Sequence, residues 1–324
     1  MTYVYTFVLA FAIVYALVPF LRKVALKLQF VDLPNHRKIH KAPIPLMGGV
    51  ALFIGFVVTA LIIGDGTGRQ WSREFLGMFL GGSIVFFTGF VDDFFKTRGI
   101  DFPAWPKFIM QFAAAGALIW VGNIRIEGFN VPFGLYSQSY YTLQPWLQIL
   151  VTCIWVVGIT NMMNFLDGVD GLAAGISSIS STTLFFIAIL KGQTDMAVLA
   201  ITLIGVSLAF LRHNFHPARI FMGDSGALFL GFMLSSIAVD GAFKSATLIS
   251  VLVPVLALGV PIFDFFYVML KRVKERKPLH VADKGHTFHQ LMRSGMSQIQ
   301  TVTFLYLLGI CFSLASIVVL LANR

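Results

Sequence analysis

Long apolar stretches, broken by short polar connections, run through most of the 324-residue chain. A helix needs about 20 apolar residues to cross the hydrocarbon of a bilayer. Ten stretches approach that length: 3–21, 46–64, 75–91, 107–122, 145–163, 172–190, 196–211, 222–239, 246–269 and 300–321. They predict an all-α polytopic integral membrane protein of about ten transmembrane helices. The chain then reads as one transmembrane domain, 1–324, in which only the 270–299 connection is long enough to hold much structure. No basic residue precedes the first run, and Arg22 and Lys23 follow it. That is the reverse of a cleaved signal peptide, so the first run reads as a span. Pro254 and Pro261 interrupt the ninth.

Composition narrows the class. Hydrophobic residues make up 57% of the chain and charged residues 12%, with 33 phenylalanines. A soluble domain of this size needs far more polar surface. An ordinary cytosolic enzyme, a disordered chain and a secreted disulfide scaffold are excluded. Cys153 and Cys311 lie inside apolar runs, in no spacing that suits a disulfide framework or a structural zinc site.

The net charge of +9 fits either nucleic acid or the cytoplasmic face of a membrane protein. Its distribution favours the second. With the N-terminus outside, 18 of the 24 Lys and Arg fall in inward connections, which predicts both termini outside. The carboxylates play no part in that assignment. Asp92, Asp93, Asp167, Asp170, Asp224, Asp264 and Asp283 nevertheless gather on the inward side, while Asp65, Glu74, Glu127, Asp195 and Asp240 are scattered outside. The chemistry is therefore expected at the cytoplasmic face.

Five clusters carry it. In Gly89-Phe-Val-Asp92-Asp93-Phe-Phe-Lys96, adjacent carboxylates end an apolar span. They repel unless a cation or proton is shared; a solvated helix end is the plain alternative. Asn161-Met-Met-Asn164-Phe-Leu-Asp167-Gly-Val-Asp170-Gly171 places residues 161, 164 and 167 on one helical face. Its oxygen-bearing side chains suit Mg2+ or Mn2+, and its glycines allow a tight backbone and close ligand approach. A polar turn with Asp170 as a helix cap is the alternative. Arg219-Ile-Phe221-Met-Gly223-Asp224-Ser225-Gly226 reads equally as a capped helix start or as a phosphate site on free amides. Asp283-Lys284-Gly285-His286-Thr-Phe-His289 offers imidazoles for phosphate, protons or metal, or simply a solvated loop. Arg37-Lys-Ile-His40-Lys41-Ala-Pro43-Ile-Pro45, followed by Gly48-Gly49, faces an anion or marks the inward side. No Walker A motif, His-Glu-x-x-His or dinucleotide fingerprint occurs.

Taken together, these blocks resemble the polyprenyl-phosphate N-acetylhexosamine-1-phosphate transferases. The resemblance covers positions 37 to about 298. Asp264 after Pro261-Ile-Phe, with the Asp283-Lys-Gly-His286 loop, looks like the bacterial UDP-N-acetylglucosamine branch (WecA/TagO type). The peptidoglycan branch is expected to carry a His pair near Asp264. One departure is Phe288, where the branch usually has a histidine.

The resemblance implies ten or eleven helices around a cytoplasm-facing cleft in the bacterial inner membrane. It implies transfer of GlcNAc-1-phosphate from UDP-GlcNAc to undecaprenyl phosphate, with Mg2+ or Mn2+ and release of UMP, as a first membrane step of cell-envelope glycan synthesis. A homodimer is in keeping with it; a nucleic-acid partner is not. Asp224 and Asp167 are the candidate metal ligands, with Asn164 and Asp170 on metal or nucleotide. Phe221 is a candidate uracil-stacking ring or a lipid-facing aromatic. Lys41, Arg219, His286 and His289 are placed near phosphates, and Asp264 among the substrate-binding residues. Asp92 or Asp93 accepts a proton from the lipid phosphate or positions it. Two alternatives stand beside this reading: the phospho-MurNAc-pentapeptide transferase of peptidoglycan synthesis, and a secondary transporter of a phosphorylated substrate, for which the broken ninth run speaks.

Overall fold

The computed structural model describes residues 1–33, 42–66, 72–130, 140–243, 251–275 and 285–322. Twelve α-helices form among these residues: α1 (Thr2–Lys27), α2 (Gly48–Gly66), α3 (Arg73–Thr97), α4 (Ala104–Trp120), α5 (Pro145–Leu166), α6 (Leu172–Leu190), α7 (Thr194–Asn214), α8 (Gly223–Ala238), α9 (Leu252–Ala257), α10 (Gly259–Lys274), α11 (Thr287–Arg293) and α12 (Gln298–Ala322). One turn of π-helix, Val239–Phe243, continues α8. Two antiparallel ribbons complete the fold: β1 (Val31–Asp32) with β2 (Ile44–Pro45), and β3 (Gly128–Asn130) with β4 (Tyr140–Thr142).

The expected all-α membrane architecture is found. Helices occupy the predicted apolar runs, and six of them, α1, α3, α5, α6, α7 and α12, are long and apolar enough to cross a bilayer; α2 is a shorter apolar helix. The described part of the ninth run forms two helices. Leu258 leaves helical geometry at φ −106°, ψ 27°, between α9 and α10. Pro261 has no N–H to give the carbonyl of Ala257, so the ladder cannot run through this point. The last connection does hold structure, namely α11.

Helix α8 is the axis of the bundle. Its residues from Ser225 to Ala238 are all buried, and it packs on α2, α3, α5 and α6. Lipid is as apolar as leucine, so membrane helices are held by close packing rather than by escape from water. Gly231 provides such a contact, since a Cβ there would lie 2.8 Å from the Thr160 Cα on α5. On the other flank Phe53 stacks on Phe86 at 4.2 Å and meets Phe229 edge-on at 5.4 Å. Five buried threonine hydroxyls are satisfied within their own helices, whereas those of Ser181, Thr301 and Ser313 have no partner among the described residues. Thr59, Thr88, Thr152, Thr160 and Thr202 each donate to the carbonyl four residues back, at 2.6–2.7 Å. Large apolar side chains such as Phe20, Trp105, Phe112, Phe266 and Leu314 cover the outside. The C-terminal ends of α3, α5 and α7 meet the N-terminal ends of α4, α6 and α8 at one end of the bundle, and the scarce charges collect there.

Candidate functional site

The last turn of α3 builds the centre. Asp92 and Asp93 are consecutive, so they leave the helix in different directions. The Asp92 carboxylate, 1% exposed, receives Lys96 at 2.9 Å, one turn further on, and Lys107 from the first turn of α4 at 2.8 Å. Both lysines also reach Asp224 at the start of α8, Lys96 at 2.6 Å and Lys107 at 3.1 Å. Two carboxylates and two ammoniums thus alternate in a closed ring drawn from three helices.

Asp93 turns instead into α8. It accepts the Asp224 amide at 2.8 Å, the Ser225 amide at 3.0 Å and the Ser225 hydroxyl at 2.7 Å. A helix start leaves its first N–H groups unpaired, and a carboxylate there is favoured by the helix dipole. Here the cap comes from another helix. Gly223 adopts φ +69°, and a Cβ on it would run into the Asp93 carboxylate. The Gly-Asp-Ser-Gly block, legible as either a capped start or a phosphate cradle, is a capped start for these two amides. The Pro43–Gly49 block completes the seat. Phe221 N–H donates to Pro45 at 2.8 Å, and Gly48 and Gly49 donate to Phe221 and Met222 at 2.9 Å.

The Asn161–Gly171 block forms the opposite wall. Asn161 pairs with the buried Gln111 of α4, giving Nδ2 to its Oε1 at 2.5 Å. The half-buried side chains of Asn164 and Asp167 come next. Asp167 lies between α5 and α6. Its carboxyl is pushed well above the usual carboxylate range by burial, and then by the negative charges of Asp224 and Asp93. Asp170 braces a neighbouring loop, accepting the Ala218 amide at 3.0 Å and pairing with His216 Nδ1 at 2.8 Å. Asn214 ties the same two loops, taking the Gly171 amide at 3.0 Å and giving to Ile220 at 2.9 Å.

A second pair stands beside this wall. Asp264, 2% exposed on α10, accepts the Thr287 amide and meets His286 Nδ1, both at 2.7 Å. His286, Phe288 and His289 pack ring on ring, with centroids 5.6 Å and 4.4 Å apart. Phe165 at the end of α5 touches His286 at 5.6 Å.

Asp92, Asp93 and Asp224 are thus in direct connection, and Asp167 lies within their field. Asp170, Asp264, His286 and His289 flank them. Phe221 is half-buried and Arg219 exposed, its carbonyl accepting Arg22 Nε at 3.2 Å. Lys41 lies outside the described residues. Sequence reasoning assigned no site role to Lys107 or Gln111. Their signal was spacing: four apart, they share one face at the start of an otherwise apolar helix.

Among the described residues no three His, Cys, Asp or Glu side chains form a metal cage. The donor chemistry still suits a hard cation. Among the described residues, the four carboxyl groups of Asp92, Asp93, Asp167 and Asp224 gather around the two ammoniums of Lys96 and Lys107. Mg2+ is commonly held by one or two carboxylates, water and substrate phosphates rather than by a complete protein cage.

The described helices thus form a polytopic membrane bundle with a ring of carboxylates and ammoniums at one end. Its residues 75–242 match glycosyl transferase family 4, and the chain belongs to that family. It is 37% identical over 315 residues to a Bacillus subtilis (strain 168) protein described as a probable undecaprenyl-phosphate N-acetylglucosaminyl 1-phosphate transferase, covering 97% of this chain and 84% of that one. A Mycobacterium tuberculosis (strain H37Rv) decaprenyl-phosphate N-acetylglucosaminephosphotransferase is 31% identical over 309 residues, 88% and 74% of the two chains. A phospho-N-acetylmuramoyl-pentapeptide-transferase of Desulfitobacterium hafniense is 35% identical over 270 residues, 75% and 76% of the two chains.

Proposed function

We propose that this chain transfers GlcNAc-1-phosphate from UDP-GlcNAc to undecaprenyl phosphate, releasing UMP. The observation that carries the reading is the ring in which Lys96 and Lys107 each bridge Asp92 and Asp224. It supplies mobile cations and fixed carboxylates where a lipid phosphate and a water-borne diphosphate can meet. Relatives described as undecaprenyl-phosphate N-acetylglucosaminyl 1-phosphate transferases, one of them as probable, match along nearly the whole chain, which favours that donor over the peptidoglycan one. The site faces the cytoplasm, with both termini outside, in line with the distribution of basic residues.

Mg2+ would be held by Asp224 and Asp167, with Asn164 beside them; bound there, it offsets charge on the diphosphate. Lys96 and Lys107 exchange carboxylate partners for phosphate oxygens. The lipid phosphate oxygen attacks the phosphorus bearing the sugar, in line with the bond to UMP, which breaks as UMP departs. A phosphate monoester with a second pKa of about 6 is already mostly ionised at neutral pH. Asp92 therefore orients the nucleophile and its lysines more than it removes a proton. Asp93, committed to α8, holds the site in shape. No covalent aspartyl intermediate is required.

The test is UMP release by purified protein given undecaprenyl phosphate, Mg2+ and a panel of UDP-sugars. Release is expected with UDP-GlcNAc, is stopped by a chelator and returns with Mg2+. Release with UDP-MurNAc-pentapeptide alone would move the chain to the peptidoglycan reaction. Uptake of nucleotide by proteoliposomes without UMP would replace the transferase reading with transport.

A further inference from the structure

The two glycines of the Asp167-Gly168-Val-Asp170-Gly171 block suggest room for a ligand. The structure fills that room with protein. A Cβ on Gly168 would lie 2.6 Å from the Phe288 Cζ. Phe288 is only 2% exposed and lies between the His286 and His289 rings, so it has little freedom to withdraw. Three residues on, Gly171 takes φ +81°, and its carbonyl accepts the Tyr306 hydroxyl of α12 at 2.6 Å. The Tyr306 ring reaches that carbonyl because Gly175, in the first turns of α6, has no Cβ; one there would collide with the ring and hydroxyl.

We propose that Phe288 and Tyr306 are positioning residues of the transferase: two aromatic side chains from the C-terminal helices, seated in glycine notches, that set the place of Asp167 and Asp170. The inference rests on the reading of this site as the transferase centre. A ring without nitrogen packs against the Gly168 backbone and leaves no imidazole to satisfy in the buried seat. Both anchors act on backbone rather than on substrate, so their loss displaces carboxylates without removing them. Displacements of about 1 Å at a reacting centre lower rates by about a hundredfold.

The decisive experiment is a double-mutant comparison in the purified full chain. Gly168→Ala is expected to lower kcat for UMP release about tenfold or more, with KM for the nucleotide sugar changed less than about twofold. Phe288→Leu, which removes the colliding ring atoms, also lowers kcat. The double variant Gly168→Ala with Phe288→Leu is expected to recover kcat to several times that of Gly168→Ala alone. Multiplicative losses in the double variant, or full activity in Gly168→Ala, overturn the Phe288 anchor. Tyr306→Phe keeps the ring in its notch and removes only the hydroxyl bond. It is expected to lose kcat several-fold with KM for the nucleotide sugar changed less than about twofold, and parental kcat overturns the Tyr306 anchor. If the parent chain itself releases no UMP, the transferase reading fails instead, a result distinct from all of these.

Discussion

Asp93 holds Ser225 twice, by its amide at 3.0 Å and by its hydroxyl at 2.7 Å. One carboxylate thereby joins the end of α3 to the start of α8, the most buried helix of the bundle. Asn at position 93 would turn donors toward donors on at least one of these contacts. Asp93→Asn is expected to destabilise the protein by about 1–3 kcal/mol, the usual cost of stranding a buried polar group. Ser225→Ala, which leaves both amides capped, is expected to lose about 1 kcal/mol. Thermal unfolding in detergent measures both, and equal melting of Asp93→Asn and parent would show that α8 is held elsewhere.

Lys107 joins the ring from α4 with only 20% of its side chain exposed. Lys107→Met leaves Asp92 and Asp224 facing each other across one remaining bridge. The expected result is a loss of at least about tenfold in kcat. Arg98→Met is the control. Arg98 lies over the Phe94 ring at 4.2 Å, outside the ring of charges, and its loss should change kcat by less than about twofold. Similar effects of the two variants would reduce Lys107 to a surface charge.

Asp167 gives a pH signature with a defined sign. Its folded-state pKa is raised above the ordinary 3.8, so the fold favours its protonated form. With divalent cations chelated, stability from this group is greatest below pH 3.8 and falls as pH rises toward the raised value. Asp167→Asn should therefore melt above the parent at neutral pH, with the gap closing near pH 4. Added Mg2+ should narrow the gap by stabilising the parent. A parent more stable than Asp167→Asn in chelator at pH 7 contradicts the assignment. Asp167→Asn and Asp224→Asn should each lower UMP release about a hundredfold or more.

Asp264 meets His286 at Nδ1, so Nε2 is the ring nitrogen that this bond does not use. Asp264→Asn can accept a hydrogen bond but carries no charge. It is expected to lower kcat about tenfold and shift the pH profile of kcat/KM. A profile identical to that of the parent would confine Asp264 to capping Thr287.

The membrane architecture was legible because hydrophobic runs are local and long. The break at Leu258 was half legible, since Pro254 and Pro261 flagged it but not the residue that gives way. Asp92, Asp167 and Asp224 stood out because charges are rare in this chain, and no pattern in one segment tells which lysine will meet them. Lys107 was absorbed into the count of inward positives. The prolines and glycines of 43–49 read as the start of a span beside a cationic loop; their pairing with Phe221 and Met222 joins segments more than 170 residues apart. Gly168 and Gly171 read as space for a ligand, because the rings that fill that space arrive from helices more than 100 residues downstream.

The cap on α8 bears on how a nucleotide sugar would be recognised. Backbone amides at a helix start grip an anion in one fixed attitude, and here the amides of Asp224 and Ser225 are already taken by Asp93. The phosphates would then meet Lys96, Lys107 and bound Mg2+ rather than these amides. Orientation would draw on the two ends of the donor, base and sugar. Inorganic pyrophosphate should accordingly be a poor competitor, and selectivity should be sought in inhibitors that keep both ends.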